Sequence, residues 1–267
     1  MNSYRHDYHV HSCFSHDSQA SLEAVCQVAV DRGLDEIAFT DHVDLGPHFP
    51  PGHFRAPEYL AAIARCRDRY NDQLVVRAAV EVGEPHLYPD ETAELLGAHD
   101  FDLVLGSAHY ALGMRAAWRE DFFVPPLREA YESYFKQVVR LAAVGDYDIL
   151  AHVDLIKRDA LQFGKPYDGP EPYADMIRTA LRSVVERGKG IELNMSPLRR
   201  GQAEPCPSLE ILRWYRELGG EIVVVGSDAH SPDAVGAYLD LAVEIAKSAG
   251  FKRLATFERR QIDWRRI

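Results

Sequence analysis

His9 and His11 stand two residues apart in YHVHS, and Asp228 and His230 stand two apart in GSDAH near the other end of the chain. Residues i and i+2 of an extended strand share a face, so each pair can aim two donors at one cation. Between these pairs, His42, Glu81, His109, His152 and Asn194 each follow closely on a short apolar run. Any one of these histidines is also what a hydrogen-bonded core residue looks like. The argument for chemistry lies in the repetition at the same end of successive strands. Glu81 adds to it, because a carboxylate that closes an apolar strand needs a strong partner or bridges cations. Imidazole nitrogen and carboxylate oxygen without thiolate suit Zn, Mn or Fe and disfavour a sulfur cluster.

Such residues meet only if the strands converge. Apolar runs at Tyr8–Val10, Glu36–Thr40, Val75–Val80, Leu103–Ser107, Ile149–Ala151, Ile191–Leu193 and Glu221–Gly226 read as buried strands. Helical spacing covers Leu22–Arg32, Glu58–Tyr70, Asp90–Leu96, Leu127–Ala143, Pro172–Arg187, Ser208–Leu218 and Ala234–Ala249, and Arg253–Phe257 reads as a short terminal strand. Apolar strands alternating with amphipathic helices predict a parallel sheet covered by helices. An open doubly wound sheet would gather its ligand residues at one switch point. Here every strand end carries a polar group, which fits the mouth of a barrel. Seven strands rather than eight predict an irregular α/β architecture, a distorted (β/α)7 barrel of parallel strands, with residues 1–267 as one domain. Two excursions, Asp44–Ala56 and Tyr110–Pro126, follow strand ends and are expected to wall the pocket.

The bulk composition excludes several classes. A formal charge of −11 with no basic stripe argues against binding long nucleic acid. Four separated cysteines (Cys13, Cys26, Cys66, Cys206) without a C-x-x-C pair argue against a zinc ribbon, a redox motif or a disulfide framework. Cys13 is expected to be an idle thiol. No stretch approaches 18 apolar residues and the N-terminal segment has no apolar core, so a cytoplasmic, non-membrane protein with a small-molecule substrate is expected. Oligomeric state is left open.

The segments YHVHSCFSHDS, FTDH, EVG, GSAHY, AHVD, NMS and GSDAH, in that order along nearly the whole chain, resemble the PHP (polymerase and histidinol phosphatase) family, in particular its monofunctional histidinol-phosphate phosphatases. The resemblance implies a distorted (β/α)7 barrel with three divalent or mixed-valence metal ions. It assigns His9, His11, Glu81 and Asp228 to the first. Glu81 bridges to a second, held also by His109 and His152, and Asp17, His42 and His230 hold the third. Asp17 stands where the family has His or Asp; His16 beside it is the alternative. Asp41 is expected to orient an imidazole rather than bind metal.

The implied reaction is hydrolysis of L-histidinol phosphate by a metal-bridging hydroxide, with Glu81, Asp228, His230, Arg158 and Arg199 at the reacting centre. Phosphate oxygens call for guanidinium donors, and two doublets offer cations, Lys157-Arg158 and Arg199-Arg200. Arg158 and Arg199 are preferred, since arginines in these two loops bind phosphate in the enzymes resembled. Asp44, His53, Phe54, Glu84 and Tyr110 are candidates for the ammonium and imidazole of the substrate. Two rival readings are a phosphoesterase acting on nucleotides or other small esters, and a non-catalytic metal-binding module.

Overall fold

The computed structural model describes residues 4–45, 49 and 52–267. Seven parallel strands, His6–Val10, Glu36–Asp44, Val75–Gly83, Leu103–Ser107, Ile149–Leu150, Gly190–Asn194 and Val223–Gly226, lie side by side in chain order. The first and last strands close the ring through a short seam. His11 N–H donates to the Ala229 carbonyl at 2.8 Å, and Ala229 N–H donates to that of His9 at 3.3 Å. Beneath it the buried Asp7 carboxylate accepts from the N–H and hydroxyl of Ser227 at 2.8 and 2.5 Å. This is the expected distorted (β/α)7 barrel.

Helices cover the outside because each carries one apolar stripe. Leu22–Asp31 buries Leu22, Val25, Cys26 and Ala29, and Ser21 caps it by accepting from Ala24 N–H at 3.2 Å. Leu22 and Val25 each contribute about 1.5–3 kcal/mol by leaving water. Inside the ring a smaller apolar cluster contains Tyr8, Ala38, Ala79, Leu103, Leu105, Ile149 and Val224. Tyr8 belongs to this inner cluster, but Val10 packs outward, and the pairing register with the second strand shifts between Asp7 and Val10. That bulge re-aims the strand. With Val10 pointing out, His9 and His11 both face the barrel interior.

Three local expectations need correction. The last helix runs Leu239–Ser248, not from Ala234: Gly236 has φ +72° and donates its N–H to Asp7 at 2.8 Å, so the chain is still turning there. Leu155–Gln162 is an additional helix after the fifth strand. The terminal strand is half of a hairpin, Arg253–Glu258 with Gln261–Arg266. Its turn places Arg259 and Arg260 at positive φ without glycine, held by N–H bonds from both residues to Asp102 at 3.0 and 2.9 Å. No Asn-Gly or Asp-Gly advertises that turn. Ala255 and Phe257 of the hairpin close the barrel end opposite the ligand-bearing loops. Of the two excursions, 110–126 forms a two-residue ribbon, Tyr110–Ala111 against Arg115–Ala116, and a 3-10 turn at Glu120–Phe123. Residues 46–48, 50 and 51 of the other lie outside the described residues.

Candidate metal centre

Glu81 lies two residues before the end of the third strand, at the centre of the cluster. Its Oε1 lies 2.8 Å from His152 Nε2 and 3.3 Å from His109 Nε2. Its Oε2 lies 3.2 Å from His9 Nε2, 3.2 Å from His42 Nδ1 and 3.5 Å from His11 Nε2. Asp228 Oδ1 is 3.4 Å from His11 Nε2 and 3.7 Å from His9 Nε2. Asp17 Oδ2 is 2.9 Å from His230 Nε2 and 3.5 Å from His42 Nε2. The nine residues expected to hold metal therefore stand together. Three subsets bring their donor atoms within 4.8 Å of one another: His9, His11 and Asp228; His42, Glu81 and His109; and His11, Asp17, His42 and His230. His152 and Asp228 adopt left-handed backbone, φ +49° and +55°, which costs non-glycine residues about 1–3 kcal/mol each.

Contacts behind the donors fix which ring nitrogen is free. His9 Nδ1 meets Glu192 Oε1 at 2.6 Å, a carboxylate that can only accept, so this nitrogen carries the proton. His11 Nδ1 meets Ser15 Oγ at 3.0 Å, while that hydroxyl gives its own proton to Asp41 at 2.8 Å, so His11 also donates from Nδ1. His230 Nδ1 rests on the Asp228 carbonyl at 3.1 Å. All three then present Nε2 to the cluster, where His9 and His230 also face carboxylate oxygens of Glu81 and Asp17 at 3.2 and 2.9 Å. His9 Nε2 and His11 Nε2 lie 3.0 Å apart. Two lone pairs facing at that distance repel unless positive charge sits between them.

The electrostatics agree. Burial alone would raise the pKa of Glu81 and Asp228, but the surrounding imidazoles outweigh it and hold both well below the carboxylate range. Burial would lower His42, yet Glu81, Asp44 and Asp17 push it up to about 9. Carboxylates likewise overcome burial at His9 and His109. Burial and the neighbouring His230 and His42 instead hold His11 well below the usual imidazole range. Among the described residues, His42 Nδ1 and His152 Nδ1 are buried without a hydrogen-bond partner. The residues present fit a cluster of divalent cations.

A cavity of about 530 Å³ opens on this cluster, and Arg158, Arg199 and Arg200 line it. Arg158 is held by Asp159 at 3.0 Å, Ser196 at 3.2 Å and Asp228 Oδ2 at 3.3 Å. Arg199 donates to the carbonyls of Ser227 and Asp228, and Arg200 to Gln162. Lys157 is a correction: its ammonium is buried against Asp154 at 2.7 Å and the Pro205 carbonyl at 2.6 Å, away from the cavity. Glu84 is another. Its carboxylate accepts from the N–H groups of His109 and Tyr110, so it anchors the loop instead of facing substrate. His53 is a third, placed behind Asp44, whose N–H it accepts at 3.2 Å.

Phe54 packs on Tyr59, and Tyr110 is buried beside Trp118. Asp44 and His16 do line the cavity, 3.3 Å apart. Asp41 reaches His11 only through Ser15. Cys13 is exposed and belongs to none of the donor groups.

Glu192, Ser15 and Trp118 were not anticipated. Glu192 had a signal, a charge between Ile191 and Leu193 of a buried strand; its side chain has room inside the barrel because Gly226 on the next strand has no Cβ, which would stand 2.5 Å from Glu192 and 2.4 Å from His9. Ser15 lies in a loop and gave none, while Trp118 falls in the 110–126 excursion expected to wall the pocket but was not singled out within it.

A family model described as PHP domain matches residues 7–196. The chain is 31% identical to a probable histidinol-phosphatase of Clostridium acetobutylicum over 95% of this chain and 97% of the relative. It is 32% identical to one of Deinococcus radiodurans over 96% and 97%. Its structure superposes with a TM-score of 0.86 and 26% identity on the histidinol phosphate phosphatase of Lactococcus lactis crystallised with zinc, L-histidinol and phosphate, covering 97% of this chain and 98% of that one.

Proposed function

This chain belongs to the PHP domain family, and on that premise we propose that it is a metal-dependent phosphatase that hydrolyses L-histidinol phosphate to L-histidinol and phosphate. The observation that carries the reading is the meeting of nine nitrogen- and oxygen-donor residues in one cluster, with three arginines lining the cavity that opens on it. Similarity to the zinc-, histidinol- and phosphate-bound enzyme selects the substrate. Asp228 and His230 lie beyond the matched segment yet complete the cluster, so residues 1–267 act as one catalytic unit.

We assign three metal positions: His9, His11, Glu81 and Asp228; Glu81, His109 and His152; and Asp17, His42 and His230. Divalent cations held there supply Lewis acidity toward phosphoryl oxygens and make hydroxide available near pH 7. The chain does the rest. Glu192 and Ser15 hold the His9 and His11 rings with Nε2 inward. Arg158 and Arg199, both already tied to Asp228, place guanidinium N–H groups beside the cluster and orient the phosphate in a two-pronged way. Ser196 and Asn194 brace Arg158 and Asp228, at 3.2 and 3.3 Å.

The test is turnover of L-histidinol phosphate, nucleoside monophosphates and a cyclic diester by metal-replete and chelated protein. Histidinol phosphate should be preferred, and chelation should abolish its release of phosphate. Preference for a nucleotide or the diester would move the protein to another phosphoesterase, and metal uptake with no turnover at all would make it a binding module.

A further inference from the structure

The cavity has a wall that phosphate chemistry does not use. Trp118 lines it with 41% of its surface exposed, while its neighbour Tyr110 is only 5% exposed. The indole is nonetheless fixed. The Glu84 carboxylate ties down His109 N–H and Tyr110 N–H, the ribbon pairs Tyr110 with Ala116 and Ala111 with Arg115, and Ala117 N–H donates to the His109 carbonyl at 2.8 Å. His109 and Tyr110 meet the ring nearly at right angles, 80° at 6.0 Å and 72° at 5.1 Å. A buried carboxylate thus braces a loop whose largest apolar side chain remains open to the cavity.

Charge around the cavity lining is uneven. Arg158, Arg199 and Arg200 come from the loops after the fifth and sixth strands. Trp118 comes from the loop after the fourth strand and Asp44 from the end of the second, where its Oδ1 lies 3.7 Å from His109 Nδ1. An ester with its anionic phosphate on the arginines leaves its alcohol portion for the rest of the lining, which includes the indole and the Asp44 carboxylate. An indole face attracts a cationic or electron-poor ring.

We propose that Trp118 determines specificity for the alcohol part of the substrate, its indole receiving a flat heteroaromatic ring. This rests on the histidinol phosphate reading above. Trp118 takes no part in bond breaking, so its effect falls on KM.

The test compares L-histidinol phosphate with O-phosphoethanolamine, which keeps an ammonium but has no ring, in wild type, W118F and W118A. In W118A the KM for histidinol phosphate should rise about tenfold, as loss of a desolvated ring contact predicts, with kcat within about twofold. W118F should retain most of the affinity, and KM for O-phosphoethanolamine should move less than about twofold. An unchanged ratio of the two KM values in W118A overturns the proposal. Where W118A loses turnover of both esters, W118L decides by the same ratio, and loss of both there makes Trp118 structural and also overturns it. Failure of the wild type to hydrolyse histidinol phosphate is a separate result, visible without any variant, and removes the parent reading instead.

Discussion

The two ends of the barrel handle buried charge in opposite ways. At the hairpin end each carboxylate is paired with fixed hydrogen-bond donors of the protein itself. Glu36 accepts from Tyr4 at 2.6 Å, Tyr8 at 2.7 Å and the Arg77 guanidinium. Asp102 accepts from Arg67 at 2.6 Å and Ala78 N–H at 2.9 Å, and Asp148 from Arg260 at 2.9 Å and Val104 N–H at 3.0 Å. At the mouth, the buried Glu81 and Asp228 and the exposed Asp17 face imidazoles, of which His9, His11 and His230 point Nε2 at the same space, although Asp228 Oδ2 also meets Arg158. One end is electrostatically complete within the polypeptide, and the other is completed by cations, whether protons or metals. Buried carboxylates are common to both; the permanence of the positive partner separates structure from chemistry.

The largest test of that contrast exchanges one carboxylate at each end. Glu81→Ala should lower turnover more than about a hundredfold and remove bound metal together, since even losses behind a metal ligand cost about 10–100-fold. Glu36→Gln should leave metal content unchanged and lower stability by on the order of 3 kcal/mol, because Arg77 then keeps a poorly matched partner in a largely buried site. Metal analysis, phosphate release and urea unfolding on both variants provide the readout. Full activity in Glu81→Ala, or metal loss in Glu36→Gln, would break the comparison.

Glu192→Gln sharpens it. The amide still fills the space beside His9 but no longer secures Nδ1 as the donor, and metal affinity should fall about tenfold or more with unfolding midpoint nearly unchanged. Competitive metal titration against a chromophoric chelator would show it, and unaltered affinity would demote Glu192 to packing.

The smallest effect concerns His6, the exception at the complete end. It is buried, and among the described residues neither ring nitrogen has a hydrogen-bond partner. Burial, against the pull of Glu36, lowers its pKa to about 4. Between pH 6.5 and 4 the unfolded chain binds a proton that the folded chain refuses, so stability falls as pH falls through this window. His6→Phe should flatten that decline when both proteins are unfolded in chelator at pH 7 and pH 4.5. Parallel losses in the two proteins would show that the His6 ring does not titrate in this way.

Strand ends were legible because a buried parallel strand is a short apolar run, and any donor placed just beyond it is conspicuous. Lys157 misled because a charge in a loop sequence says nothing about which way the chain turns, and here Asp154 and the Pro205 carbonyl capture it. Glu84 misled for the same reason, spent on two backbone N–H groups of the next loop. The hairpin turn at Arg259 and Arg260 was invisible because Asp102, 157 residues from Arg259, holds its backbone.

The amino-acid sequence alone settled the alternation of strands and helices, the donor types and their place at strand ends, since periodicity and residue chemistry are local properties. Only the folded chain decided which imidazole nitrogen faces inward, which guanidinium groups reach the cavity and which charged side chains are consumed in holding loops. Those outcomes depend on partners brought together by ring closure, across a seam where residues 7 and 227 share a hydrogen bond.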